Sequence, residues 1–169
     1  MVQRLVLMYH EQFFYNVKYA QGKYQLINPE KYVGNKTPHY RSGWEHTFMT
    51  FCDNNPAVTQ WASEAIQIPY RHPLTGKITN YIPDFFVMYE NKYGKRIAEI
   101  VEIKPSSEVM ETVGKSRRNQ AMAALNSFKW EAARAWCAAN NITFRIVTEA
   151  DMFHNPKKIK KFKTRYDEK

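Results

Sequence analysis

The sequence predicts an α/β fold in which helices flank a mixed β-sheet, and two observations carry that prediction. Apolar residues recur at helical spacing in two segments, whereas four other runs are rich in β-branched and aromatic residues and bounded by Pro, Gly or Asn turns. The last two of these runs, "RIAEIVEIK" and "ITFRIVTE", are separated by the longer helical segment. A strand-helix-strand crossover makes its strands parallel, while runs joined by a short turn pair antiparallel, so the sheet is mixed.

In chain order, residues 1–32 read as an N-terminal arm, aromatic and polar without a clear period, and "QLINPEKYVGNKTPHYRS" carries the punctuation of extended chain. The folded domain spans 33–152 and a basic tail covers 153–169. From Ser42, the residues Trp44, Phe48, Phe51 and Cys52 recur at i, i+4, i+7 and i+8, an amphipathic helix that "DNNP" stops. "EAIQIPY" and "ITNYIPDFFVMY" flank the turn "RHPLTGK" as a hairpin, and the turn "ENKYGK" leads to the third strand, "RIAEIVEIK". The GK in "PLTGKIT" lacks the first glycine of a phosphate loop and a following helix, so it is a turn. "NQAMAALNSFKWEAARAWCAANN" is the longest helix, with Ala121, Leu125, Phe128, Ala132 and Trp136 on one face. "ITFRIVTE" then alternates, with Ile142, Phe144 and Ile146 facing one way and Thr143, Arg145 and Val147 the other.

With 169 residues, 44% of them hydrophobic, the chain can bury one sizeable core. A formal net charge of +9, from 25 Lys+Arg against 16 Asp+Glu, favours a polyanionic partner. Cys52 and Cys137 lie far apart without a CxxC, and the histidines show no ligand spacing, which speaks for buried free thiols and against zinc. No run reaches the roughly 18 apolar residues of a membrane span, and "MVQRLVLMYHEQFF" has no small-residue cleavage site, so a cytosolic protein is expected. In the tail, a solvated end is the first reading, and the rival makes Lys157, Lys158, Lys160, Lys161, Lys163 and Arg165 candidate DNA-backbone contacts, with Phe162 and Tyr166 available for stacking.

Three charges stand out on apolar strands. Side chains of a strand alternate faces, so Glu102 and Lys104 project together, and pairing with the run that Asp84 opens would set the two carboxylates side by side at a sheet end. Two carboxylates in contact repel unless a cation lies between them, and hard oxygen ligands of this kind suit magnesium. Lys104 would orient or deprotonate an attacking water, or stabilise charge on a phosphoryl oxygen. The competing reading makes Asp84 a turn cap and Glu102 and Lys104 an exposed pair on an edge strand, which contributes about 0–1 kcal/mol. "IPDFFVMY" and "AEIVEIK" look like central strands, however, where unpaired charge is costly unless it has a partner or a function.

"PDFF", followed eighteen positions beyond Asp84 by the glutamate of "EIK", resembles the PD-(D/E)XK nuclease signature. "YRSGWEHTFMTFCDNNPAVTQWASEAIQIPY", "HPLTGKITNYIPDFFV", "VEIKP" and "KWEAARAWCAANNITFRIVTE" resemble the TnsA-like endonuclease branch, and more closely the phage head completion nuclease family, from about Val33 to Met152. The resemblance implies a restriction-endonuclease-like mixed sheet flanked by helices and hydrolysis of double-stranded DNA with Mg²⁺, for which Mn²⁺ would substitute. It implies Asp84, Glu102 and Glu45 as metal ligands and Lys104 as the catalytic lysine. Glu45 also fits the S-x-x-E capping box begun by Ser42, and Glu64 is its rival as third carboxylate. The long helix lacks QxxxY, since Ala124 stands four positions after Gln120, and Gln120 and Lys129 are read as helix-flank polar residues. The implied role is processing of packaged DNA ends during phage head completion, in the host cytoplasm or on the virion, with head or neck proteins as further partners and no membrane. The alternatives are a non-catalytic DNA-end-binding or neck-assembly protein on the same fold, or the endonuclease subunit of a transposase.

Overall fold

Ser42 starts the first helix because its hydroxyl accepts a backbone donor that the helix leaves unpaired: Oγ takes the Glu45 N–H at 3.1 Å, and α1 runs over Gly43–Asn54. This computed structural model describes residues 21–109 and 116–152. α1 buries Phe48, Met49 and Cys52 on the sheet beneath; of the predicted stripe Phe48 and Cys52 are buried, while Trp44 and Phe51 pack half-buried against the same core. Ahead of it, β1 (Gly22–Lys23) and β2 (His39–Tyr40) form a short antiparallel ribbon.

The boundary predicted at residue 32 falls inside packed chain. Asp53, in the last turn of α1, is fully buried, and a buried carboxylate is tolerated only when donors surround it. They come from the segment before the helix: the Ile27 N–H at 2.7 Å, the Asn28 N–H at 3.0 Å and the Tyr24 hydroxyl at 3.1 Å. Each such bond to a charged acceptor contributes about 1.5–3 kcal/mol, which fastens residues 24–28 to the core. Residues 1–20 lie outside the described ones.

After α1 come β3 (Val58–Ser63), β4 (Ile68–Arg71), β5 (Ile78–Tyr81), β6 (Phe85–Glu90) and β7 (Arg96–Ile103). A short α2 (Ser106–Val109), the long α3 (Arg117–Ala139), β8 (Thr143–Val147) and a short α4 (Glu149–Met152) complete the described chain. The central sheet has the order β3-β6-β7-β8, with β3, β6 and β7 antiparallel and β8 parallel to β7. The fold is the restriction-endonuclease-like mixed sheet flanked by helices, and β6 and β7 are central strands as their apolar runs indicated.

Two differences from the sequence reading have physical causes. β3 was not foreseen as a strand, because its register shifts between Val58 and Gln60 and the bulge breaks the alternation a strand is read from. "ITNYIPDFFVMY" is two strands rather than one: Pro83 has no N–H to continue a ladder, so the chain leaves the β4–β5 hairpin at Tyr81 and enters the main sheet at Phe85. The hairpin instead packs its buried Ile68, Tyr70 and Tyr81 against Trp130 and Ala133 of α3. The buried face of α3 is Asn126, Trp130, Ala133 and Cys137, so the predicted stripe is rotated. Leu125, Ala132 and Trp136 flank the buried face, whereas Phe128 is 47% exposed and Ala121 faces solvent. In an alanine-rich helix the contrast between faces is low, and the packing of β4 and β8 decides which one is covered.

On the α1 side of the sheet, Arg145 of β8 pairs with Glu99 of β7 at 3.1 Å, and Glu99 also accepts from the Tyr89 hydroxyl at 3.0 Å. Cys52 and Cys137 are free and buried, as the sequence implied. No helix among the described residues is long and apolar enough to cross a membrane.

Candidate active site

The Phe85–Val101 pair is the last on this end of the β6–β7 ladder, and the antiparallel register carried one step further sets Asp84 against Glu102. Both project to the α3 side of the sheet, the face also occupied by Phe144 and Ile146. Like charges directly opposite on neighbouring strands destabilise a sheet, so this pairing needs compensation. Part of it is visible. The Ile103 N–H donates to Asp84 Oδ2 at 2.7 Å, the Tyr81 hydroxyl donates to Glu102 Oε2 at 2.7 Å, and Lys104 Nζ lies 3.3 Å from Glu102 Oε1. Glu102 is only 6% exposed, and Tyr81 reaches it from the separate hairpin sheet, so that hairpin sets the orientation of a core-strand carboxylate.

Burial first, then the Glu102 carboxylate and to a smaller extent Glu45, together raise the Asp84 carboxyl from 3.8 to about 8, against the opposing Ile103 N–H and Lys104. The Tyr81 hydroxyl is pushed well above its ordinary value by burial and by Glu102, which keeps it a donor. Burial alone would lower the Lys104 ammonium, but Glu102 and Asp84 outweigh it and hold it above the usual lysine value. Lys104 is therefore a fixed positive charge at neutral pH.

The raised Asp84 carboxyl gives stability a sign. Between its ordinary and its raised value the folded chain keeps a proton that the unfolded chain has lost, so the associated stability is whole below the ordinary value and is lost as pH rises through the raised one. The melting temperature of metal-free protein should fall as pH rises across that window, and Asp84→Asn should flatten the decline. Parallel slopes in differential scanning calorimetry would contradict the raised carboxyl.

Glu45 lies at the N-terminus of α1, where Ser42 Oγ donates to its Oε1 at 3.0 Å and the Arg41 N–H to its Oε2 at 2.8 Å. The reciprocal half of the capping box is thus made through Arg41 rather than the Ser42 amide. Its charge still acts on Asp84. Glu64, the rival carboxylate, is instead held by both terminal nitrogens of the Arg41 guanidinium, and its own N–H donates to the Asp84 carbonyl at 2.9 Å. No three His, Cys, Asp or Glu side chains converge on one point among the described residues. Asp84, Glu102 and Lys104 form the immediate cluster, then, and Glu45 borders it.

Tyr81 is a site residue that sequence reasoning missed, and its aromatic hydroxyl three residues before Asp84 was the available hint. Lys129 is less peripheral than a helix-flank residue, with Nζ 5.9 Å from the centre of the Tyr81 ring. Lys157, Lys158, Lys160, Lys161, Lys163 and Arg165 lie outside the described residues. A cleft of about 280 Å³ opens at the other end of the sheet, beside Phe51, Tyr89 and Ile97, and none of the clustered carboxylates lines it.

A sheet end bearing opposed carboxylates and a charged lysine belongs here to an endonuclease class: residues 55–149 match the TnsA-like endonuclease N-terminal family, and the chain belongs to that family. It is also similar to the Head completion nuclease of Enterobacteria phage T4, 34% identical over 139 residues that cover 76% of this chain and 90% of that protein.

Proposed function

We propose that the chain is a metal-dependent DNA endonuclease that processes packaged DNA ends during phage head completion. The observation that carries the reading is the Asp84–Glu102 opposition on central strands, with an unusually high carboxyl and a charged lysine beside it. A pairing that opposes stability in the free protein makes physical sense where a cation completes it. The donors fit magnesium: all are carboxylate oxygens, two suffice for an ion that keeps most of its water, and Asp84 Oδ1 is not used by the Ile103 N–H. When bound by Asp84 and Glu102, with Glu45 as the third carboxylate, the ion would supply Lewis-acid polarisation of the phosphate.

The chain's own groups then have distinct tasks. The Ile103 N–H and the Tyr81 hydroxyl fix the two carboxylates before substrate arrives, so no reorganisation is needed at the moment of reaction. Lys104, held protonated, is suited to orient the attacking water and donate to a phosphoryl oxygen rather than to remove a proton. The β4–β5 hairpin, whose Tyr81 reaches Glu102, carries Arg71 and Lys77 with no acidic residue from 65 to 83, a charge balance that suits a duplex backbone. The basic tail from Lys157 to Arg165 is proposed as a further backbone contact. A neck-assembly or DNA-end-binding protein without catalysis would leave the opposed carboxylates without a reason to persist.

Supercoiled plasmid incubated with the full chain tests the reading. Nicked or linear product is expected with Mg²⁺ or Mn²⁺, and none with EDTA. Intact plasmid under every metal condition would favour the non-catalytic alternative.

A further inference from the structure

Arg41 is placed by three constraints that the reading above does not use. Its backbone N–H is spent on Glu45, its guanidinium grips the Glu64 carboxylate by both terminal nitrogens, and its charge is stabilised first by Glu64, then by Glu45 and Asp84. Arg41 therefore sits within the field of Asp84, and its partner Glu64 is bonded to the Asp84 backbone. Glu64 is held there by its backbone. Its φ of 48° lies in the left-handed region that residues with a side chain rarely adopt, and its N–H is bound to the Asp84 carbonyl at 2.9 Å.

The pair is too exposed to matter much for folding. Its side chains are 63% and 37% exposed, and exposed ion pairs contribute little to stability, so separating them is cheap. A guanidinium fork that fits a carboxylate by two donors fits two oxygens of a phosphodiester equally well. The two anions compete for the same face of Arg41.

We propose that Arg41 is a phosphate-binding residue of this site, held on Glu64 in the free protein and transferred to a DNA phosphate beside Asp84 and Glu102 when substrate binds. Glu64 is then a stand-in for the phosphate, not a metal ligand. The proposal rests on the nuclease reading for its cleavage readout but not for its binding readout.

The experiment measures affinity of the full chain for a fluorescein-labelled duplex over a range of NaCl in EDTA, and plasmid cleavage in Mg²⁺, for wild type, Arg41→Ala, Arg41→Lys and Glu64→Gln. Losing one phosphate contact should reduce the slope of log K against log salt by about 0.9 in Arg41→Ala, and should lower kcat by about a hundredfold with an unchanged melting temperature. Arg41→Lys should restore the slope, because the charge is kept, but only part of kcat, because the fork is lost. Glu64→Gln should tighten duplex binding by removing the competitor. An unchanged salt slope in Arg41→Ala, or a loss of binding in Glu64→Gln as large as in Arg41→Ala, overturns the proposal. If wild type binds duplex with an Arg41-dependent slope yet never cleaves, the nuclease reading fails while the phosphate contact stands. Absence of duplex binding by wild type sinks both.

Discussion

Asp84→Asn should reduce plasmid cleavage by at least about a thousandfold while leaving the metal-free protein as stable as wild type or more so at neutral pH. The two halves of this expectation come from one geometry. Asp84 faces Glu102 one step past the Phe85–Val101 pair, and burial together with the Glu102 charge disfavours its ionised form. Asparagine keeps an oxygen for the Ile103 N–H, which now reaches Oδ2 at 2.7 Å, and removes the repulsion. A structural carboxylate behaves in the opposite way: removing a group whose bonds hold the fold lowers the melting temperature, as expected for Asp53 with its three donors. Glu102→Gln is a less clean probe, because it also disturbs the Tyr81 hydroxyl and Lys104. The measurements are plasmid nicking in Mg²⁺ and thermal melting in EDTA. A variant that melts several degrees lower and still cuts would show that Asp84 serves the fold instead.

The parts of this arrangement that follow a local rule were legible in the sequence. Alternation put Glu102 and Lys104 on one face, the S-x-x-E spacing placed a helix start at Ser42, and the crossover length made β7 and β8 parallel. What failed depended on contacts between segments distant in sequence. The bulge in β3 hid its period, and the exchange of donors between Asp53 and residues 24–28 turned the end of a presumed arm into core. Tyr81 on Glu102 and Arg41 on Glu64 span 21 and 23 residues, and no spacing rule reports such a pair. The register that sets Asp84 against Glu102 could be stated beforehand only as one outcome of strand pairing, since it depends on where Pro83 ends β5 and lets β6 begin.

Glu45→Gln should separate two explanations that the fold supports at once. As a helix-start residue, Glu45 has its backbone N–H on Ser42 Oγ at 3.1 Å and its carboxylate on the Ser42 hydroxyl at 3.0 Å and the Arg41 N–H at 2.8 Å. Glutamine preserves this: its oxygen accepts from Arg41 and its amide donates to Ser42 Oγ, which has a second lone pair available. Stability should therefore change little, whereas Ser42→Ala, which removes the cap itself, should destabilise the protein by about 1 kcal/mol and leave cleavage near wild type. As a third carboxylate bordering Asp84 and Glu102, Glu45 contributes a charge that glutamine lacks. Cleavage by Glu45→Gln should then fall by about a hundredfold or more, and the Mg²⁺ concentration needed for half-maximal rate should rise, an effect no cap can produce. The field of Glu45 already reaches Asp84 in the free protein, which is why the catalytic explanation is expected to prevail. Normal cleavage and an unshifted Mg²⁺ dependence in Glu45→Gln would confine that residue to the helix start and leave the chemistry to Asp84, Glu102 and Lys104.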